Sequence, residues 1–459
     1  MARAPDGSRN GSRSHGRRRI LIVGGGSVGL ATAMRLQRRL RPGEAEITVL
    51  DTDSYLTYQS FLPEAAAGSL EARHVVVPLR QVLTRCRILT GWVVRIDSAR
   101  RAVEFKPHLG DSYEIGYDIL VVAPGSVSRI LPIPGLAEWG IGFKTIEEAI
   151  HLRNHILGRL DLAASTKDEA VRRRALTFVF VGAGFAGVEA LAELEDMARY
   201  ACRYFPGITR EDMTWVLVEA SDRILPEVGE DMGRWTLGEL RAREIDVRLH
   251  TRVEDARHGD VVLTDGTRFG ADTLVWTAGV RPHPLMRAAD LPVDDKDRLK
   301  VTARLNVVGM REVFGAGDCA AVPDLTRPGE YCAPNAQHAV RQGRRLAGNI
   351  VAALRGAPLK DYRHAYAGSV ASLGLYKGVA QIYGVKLRGP LAWVVHRTYH
   401  LSRIPTLNKK VRVLSDWTLA LFFRRDIVSI GAMSHPRAEF EFAARSEVDA
   451  GRLAGSLPR

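Results

Sequence analysis

Short runs of consecutive apolar residues alternate along this chain with longer stretches in which apolar residues recur every three or four positions. The short runs predict strands buried on both faces and the longer stretches amphipathic helices. Ile20–Val23, Ile47–Leu50, Asp118–Ala123, Ala175–Val181, Thr214–Val218 and Asp272–Ala278 are of the first kind. Leu30–Leu40, Val188–Tyr200, Met232–Arg243 and Pro334–Leu354 are of the second, with Pro334 suited to a first helical turn. Ile88-Leu89, Trp92–Ile96, Ala102–Phe105 and Tyr113–Ile115 predict short strands, and Val75–Leu83 turns helical only beyond Pro78. Val261–Leu263 and Arg268-Phe269 predict a hairpin about Asp265-Gly266. Strands alternating with helices give an α/β fold built on parallel sheets.

Two strand-to-helix junctions carry G-x-G-x-x-G: Gly24, Gly26 and Gly29, then Gly182, Gly184 and Gly187. In such a turn the first glycine allows a tight bend. The second lets backbone approach a pyrophosphate at the helix N-terminus, and the third lets helix and strand pack closely. Each unit ends its next strand on an acid placed to bind a ribose: Asp51, 22 positions beyond Gly29, and Glu219, 32 beyond Gly187. An insertion around Cys202–Arg210 accounts for the longer interval. Glu219 favours a free 2′-hydroxyl over a 2′-phosphate, although Arg223 lies close enough to blunt that preference. A further glycine turn, Pro124-Gly125, ends the Asp118–Ala123 strand. Another, Gly315–Asp318, follows Val313-Phe314 and standing alone would read as an ordinary turn with a capping Asp.

At 459 residues the chain has room for two or three domains. Its net charge of +13 fits nucleic acid, an anionic membrane surface or plain solubility. The four cysteines form no C-x-x-C, which excludes a zinc ribbon and a dithiol redox motif and fits a reducing cytoplasm. No apolar run is long enough to span a membrane. Residues 1–17 read as a disordered basic tail without the apolar segment of a signal peptide. The aromatic stretch Ser54–Glu64 suits either a flat ligand or an ordinary packed loop. From Lys386 to Arg425 nine Lys or Arg face one acid, Asp416, with Trp393, Tyr399, Trp417, Phe422 and Phe423 interleaved. Two helices, Leu391–Leu401 and Val411–Phe423, are expected there, lying in a membrane interface or packed on the body with a solvated basic edge.

Taken together, VGGGSVG with Asp51, VGAGFAGVE with Glu219, WTAGV at Trp276–Val280, FGAGDCAAVP at Phe314–Pro323 and AQHAVRQG at Ala336–Gly343 resemble the type II NADH dehydrogenases. These are flavoproteins with two dinucleotide-binding domains, and the resemblance runs from Arg19 to Ile430. It implies two Rossmann-like domains, one inserted in the other, with a partly helical C-terminal segment. The FAD-binding domain would comprise residues 18–145 and 281–355, the NADH-binding domain 146–280, and the C-terminal segment 356–459. FAD would lie against Gly24, Gly26, Ser27, Gly29, Asp51, Ala123, Gly125, Gly317 and Asp318, with the backbone of Val93 at the adenine. NADH would lie against Gly182, Gly184, Gly187, Glu219 and Gly279. Glu189, near the nicotinamide–flavin contact, and Gln337, near the isoalloxazine and quinone, would assist catalysis by hydrogen bonding. Arg341 replaces the second glutamine of the family's A-Q-x-A-x-Q motif, and Pro124 also departs from the usual residue. Both departures bear on the electron acceptor more than on flavin binding.

The implied reaction moves a hydride from NADH to FAD and two electrons on to a quinone or another small acceptor, with no metal and no nucleic acid. The expected setting is the cytoplasm, at the inner face of the cell membrane as a peripheral protein, with a homodimer compatible. A soluble flavoprotein reductase with a different acceptor, and a nucleotide-sensing binding protein, are the competing readings. The acceptor itself is not written in the sequence.

Overall fold

The computed structural model describes residues 17–364 and 368–429. The basic tail expected over residues 1–17 lies outside them except for Arg17. The apolar runs form two parallel sheets. In the first, Arg18–Val23 lies between Ile119–Val122 and Ala45–Asp51, flanked by Val313–Gly315 and Arg87–Asp97. In the second, Gly140–Gly142, Thr273–Trp276, Thr177–Val181, Thr214–Val218 and Asp246–Arg248 are parallel neighbours in that order. The second sheet is therefore inserted in the sequence of the first. The chain crosses between them on Ser126–Ser128 and returns on Val280–Pro282, which pair antiparallel. Gly140–Gly142 belongs to the second sheet although it precedes residue 146.

Sequence pattern splits Arg87–Asp97 into two short strands, but it is one of 11 residues. Gly91, at φ +156°, lets the strand bend without leaving its ladders. Before it the strand pairs parallel with Ala45–Asp51, and from it onward antiparallel with Ala102–Pro107. Pro334 likewise does not sit in a helical turn. The helix is Ala336–Leu354, capped by Asn335, whose side chain accepts from the His338 N–H. This helix crosses Ser27–Arg39 at Gly343, where a Cβ would stand 2.6 Å from the Val28 carbonyl oxygen. The Thr32 hydroxyl donates to the Gly343 carbonyl at the same crossing.

The C-terminal segment adds a three-stranded antiparallel sheet, Gly368–Ser372, Gly378–Ile382 and Val385–Arg388, which the sequence reading does not contain. Its strands have only four or five residues, and the first two begin on glycine. Its tight hairpin has Tyr383 and Gly384 at φ +48° and +85°. Helices Gly389–Arg403 and Leu407–Phe422 follow, where the sequence places them. They dock on the body through buried charge as well as apolar contact. Glu64, on the buried helix Leu62–Ala66, accepts from Arg397 Nη2 at 3.1 Å and Trp417 Nε1 at 2.8 Å. Ser372 donates its N–H to Glu189 at 2.8 Å and its hydroxyl to Glu193 at 2.6 Å. His396 Nε2 lies 3.2 Å from Glu189 Oε1. Burial alone would lower the His396 pKa, but Glu189, Glu64 and Glu193 outweigh it and raise it.

Taking so many ionisable groups out of water is tolerated only because they are paired. Burial, then the charge of Glu64, pushes the Glu193 carboxyl up to about 7. A carboxyl with a raised folded pKa stabilises the fold while it keeps its proton, and that stability drains away between the ordinary carboxylate range and about pH 7. Glu193→Gln, which copies the protonated form, should therefore melt higher than the parent at pH 8, by up to ~3 kcal/mol of stability. The advantage should vanish toward pH 4.5. Thermal melts across that range check it, and an advantage independent of pH would contradict it.

Candidate functional site

The two glycine turns are built alike, at the carboxyl ends of the central strands of the two sheets. Gly24 and Gly182 sit at φ +99° and +101°, where L side chains are strained. A Cβ on Gly24 would stand 2.1 Å from the Ala123 carbonyl oxygen, and one on Gly29 or Gly187 would stand 1.8 Å from the carbonyl oxygen of Gly24 or Gly182. Packing thus demands the first and third glycines. The second ones are different: a Cβ on Gly26 or Gly184 would meet no protein atom within 4 Å. Nothing in the fold asks for glycine there, so the cradle suits a group the protein must approach by backbone alone.

The helix starts agree. Ser27–Arg39 and Phe185–Ala201 begin with no side-chain cap and no acid in the first turn. By contrast Ile146–Ser165 carries a full capping box, Thr145 with Glu148. Uncapped N–H groups at a helix start, with the positive end of its dipole, are a ready anion site.

Each turn is braced by its acid. Asp51 accepts from the N–H groups of Gly25 and Asp53, and Glu219 from those of Ala183 and Ser221 and from the Ser221 hydroxyl. Both carboxylates keep acceptor capacity beyond these bonds. Burial raises the Asp51 pKa, and its two backbone donors pull the other way. The helix Phe185–Ala201 followed by turns at Cys202–Tyr204 and Arg210–Asp212 fills the long interval before Glu219.

The other expected positions lie on neighbouring strands and turns of the two sheets. The Ala123 N–H donates to the Val23 carbonyl, and Gly125 (φ +77°) follows it facing open space. Gly279 (φ +92°) also faces open space. Ser27 opens the first helix half-buried, and Val93 pairs with Phe105 beside a bulge. The Gly317 N–H donates to Gln342 Oε1 at 2.8 Å. Asp318 accepts from the Ser126 hydroxyl at 2.7 Å, and Lys144 Nζ donates to that same hydroxyl at 2.8 Å. Burial lowers the Lys144 pKa, and Asp318 and Glu148 oppose it. Ser126 and Lys144 were missed by the sequence reading. The capping-box residues after Lys144 were the available signal, since they mark a helix start at that point.

Glu189 and Gln337 do not share one turn, but they hang from one strand. Gln337 Nε2 donates to the Gly368 carbonyl at 3.2 Å, and the Ser372 N–H donates to Glu189. The strand Gly368–Ser372 separating these anchors is about 13 Å long. His364 Nε2 lies 2.8 Å from Gln337 Oε1. Arg341 turns onto its own helix, donating to the Gln337 carbonyl at 3.0 Å. The aromatic stretch Ser54–Glu64 is a packed element. Phe61 is fully buried with its ring edge-on to Trp417, and Tyr58 lies beside His400. All four cysteines are free, and burial pushes the Cys319 thiol up to about 12.

The C-terminal helices bury Trp393, His396, Arg397, Val413 and Trp417 and turn a second apolar face outward. Leu391, Val394, Leu407, Val411, Leu414, Leu421 and Phe422 are exposed, Leu407 at 76% and Phe422 at 78%. Among the described residues no helix is long and apolar enough to cross a membrane.

Residues 18–343 match the pyridine nucleotide-disulphide oxidoreductase family. The type II NADH:quinone oxidoreductase of Staphylococcus aureus is 31% identical over 382 residues, 82% of this chain and 92% of that protein. The type II NADH:quinone oxidoreductase Ndh of Mycobacterium tuberculosis is 29% identical over 424 residues, 89% of each chain. Among solved structures, NDH2 from Plasmodium falciparum in complex with NADH superposes with a TM-score of 0.83 over 90% of this chain and 100% of that one, at 16% identity. The sulfide:quinone oxidoreductase of Aquifex aeolicus superposes at 0.67 over 89% and 96%, at 17% identity. Two uncapped glycine turns on nested parallel sheets, with this sequence similarity over most of the chain, place it in the pyridine nucleotide-disulphide oxidoreductase family, among the type II NADH:quinone oxidoreductases.

Proposed function

We propose that this protein oxidises NADH and reduces a quinone, with FAD in the first glycine turn and NADH in the second. The observation that carries the reading is the pair of turns whose second glycine, Gly26 or Gly184, is required by no packing contact. FAD, when bound, supplies the chemistry of accepting a hydride and releasing electrons in pairs. The chain's own residues bind and orient. The first helix start and Asp51 would hold the pyrophosphate and adenosine ribose of FAD. Asp318, kept in place by Ser126, would bind the ribityl or pyrophosphate region, with the Lys144 ammonium beside it. The second helix start and Glu219 would do the same for NADH.

Glu189 and Gln337 would hydrogen-bond at the nicotinamide and quinone sides of the flavin. Both are tied to the strand Gly368–Ser372, so the C-terminal sheet would set their spacing. The exposed apolar face of the last two helices, which also carry Arg403 and Lys410, supports docking at an anionic membrane surface. A quinone would then reach the flavin with its tail still in the bilayer. The same helices bury Trp417 and Arg397 against Glu64, so they pack on the body and face outward at once.

Three outcomes test this reading. Gly26→Val should fold normally by circular dichroism yet retain less than ~10% of the parent's FAD, since the side chain fills space meant for pyrophosphate. Gly29→Ala should instead lower the melting temperature, because its Cβ collides with backbone. Equal flavin content in Gly26→Val and the parent would overturn the FAD assignment. For the nucleotide, the parent should prefer NADH to NADPH at subsaturating concentration, and Glu219→Ala should narrow the ratio by roughly tenfold, about one lost charge repulsion. A parent that prefers NADPH would refute the role given to Glu219. At the surface, Leu407→Asp combined with Phe422→Asp should weaken binding to phosphatidylglycerol vesicles by ~10-fold or more and slow turnover of long-tailed quinones. NADH oxidation by a small soluble acceptor should be spared. Unchanged vesicle binding would count against membrane docking.

A further inference from the structure

Beside their crossing at Gly343, the helices Ser27–Arg39 and Ala336–Leu354 and the segment 358–364 line a half-open cavity of about 480 Å³. Arg35, Arg39, Arg344, Arg345, Lys360 and Arg363 line it, with Arg341 and His364 at one end and no Asp or Glu in the wall. None of those first six side chains makes an ion pair among the described residues. Acids on neighbouring segments are committed elsewhere, Asp361 to Arg304 at 3.4 Å and Glu44 to Arg355 at 2.8 Å.

The crossing is rigid, because Gly343 brings the two backbones into contact and Thr32 bonds across it. The stems of Arg35, Arg39, Arg344 and Arg345 therefore start from fixed neighbouring points on the two helices. Their repulsion is visible in Arg35, whose pKa is lowered by burial and then by Arg39, Arg344 and Arg345. Five of the six are arginine, whose planar fork matches phosphate oxygens two at a time, where lysine offers only a point charge. The cavity also has the size of a small-ligand site. A solvated basic face would spread its cations. This one gathers them, from two helices and a loop, around a concavity.

We propose that this cavity binds a small anion carrying two or more phosphate groups, at a site separate from both glycine turns. A soluble polyphosphate compound and a lipid headgroup with two phosphates present the same chemistry. The test uses the full-length, FAD-loaded protein and its Arg35→Gln/Arg345→Gln double variant, one position exposed and one half-buried, with fold and flavin content checked by circular dichroism and the flavin spectrum. Sodium tripolyphosphate, titrated calorimetrically at low ionic strength, should bind saturably at one equivalent and at least ~10-fold tighter than orthophosphate. Saturating NADH should not displace it. The double variant should weaken it by ~10-fold or more, and added salt should weaken it in the parent. Vesicles of phosphatidylcholine with cardiolipin form the second arm. Loss of vesicle binding in the variant, with no tripolyphosphate binding by the parent, would assign the site to a headgroup. Tripolyphosphate binding with vesicle binding unchanged in the variant would assign it to a soluble ligand. No saturable tripolyphosphate binding together with unchanged vesicle binding would overturn the proposal. So would binding that survives the double variant or is displaced by NADH.

Discussion

A backbone can bring bare N–H groups against a phosphate only where no Cβ stands between them, and the architecture follows from that restriction. Glycine must occupy the second position of the turn, the helix behind it must start uncapped, and the strand before it must end at a fixed height. In this protein the requirement is met twice, with the same bracing each time: an acid at the end of the next strand accepts from the turn's own backbone, Asp51 from Gly25 and Glu219 from Ala183. The bracing carboxylate holds the turn open and leaves lone pairs for a ribose. The same physical solution is thus used at both turns.

What places the two turns relative to each other is the crossover, Ser126–Ser128 outward and Val280–Pro282 back, zipped as a two-stranded ribbon. Ser126 is both the first residue of that ribbon and the partner of Asp318. The connection between the sheets is therefore part of the candidate flavin site, and Lys144 reaches it from the start of the inserted unit. Hydrogen bonds at this one serine join both halves of the FAD-binding sheet to the inserted unit.

The C-terminal segment has two opposed faces. Its inner face is unusually polar for a docking surface, with Glu64, Glu189, Glu193, His396 and Arg397 all buried and nearly all paired. Charges so deep are worth little net stability but fix register strongly, since any slip leaves an ion unpaired. That register matters because the strand Gly368–Ser372 holds Gln337 at one end and Glu189 at the other. Its outer face is apolar, with Leu407 and Phe422 among its exposed residues.

The sequence by itself determined what depends on local chemistry. Apolar runs marked the central strands because parallel strands buried on both faces need nothing else. The glycine spacing and the trailing acids marked the two turns because the steric rule acts within a few residues. The family motifs then supplied candidate roles for Glu189 and Gln337. Tertiary structure alone decided the rest. It decided that Arg87–Asp97 is one strand bent at Gly91, and that Pro334 precedes a cap at Asn335. It also supplied a small C-terminal sheet whose strands are too short to stand out in the sequence. Ser126, Ser372 and His396 could not be read from the chain, because each acquires its meaning from a partner 179 to 207 positions away. The same holds for the cationic cavity. Arg35 and Arg345 look like ordinary solvated helix residues until Gly343 brings their helices together, and only contact across 310 positions makes them neighbours.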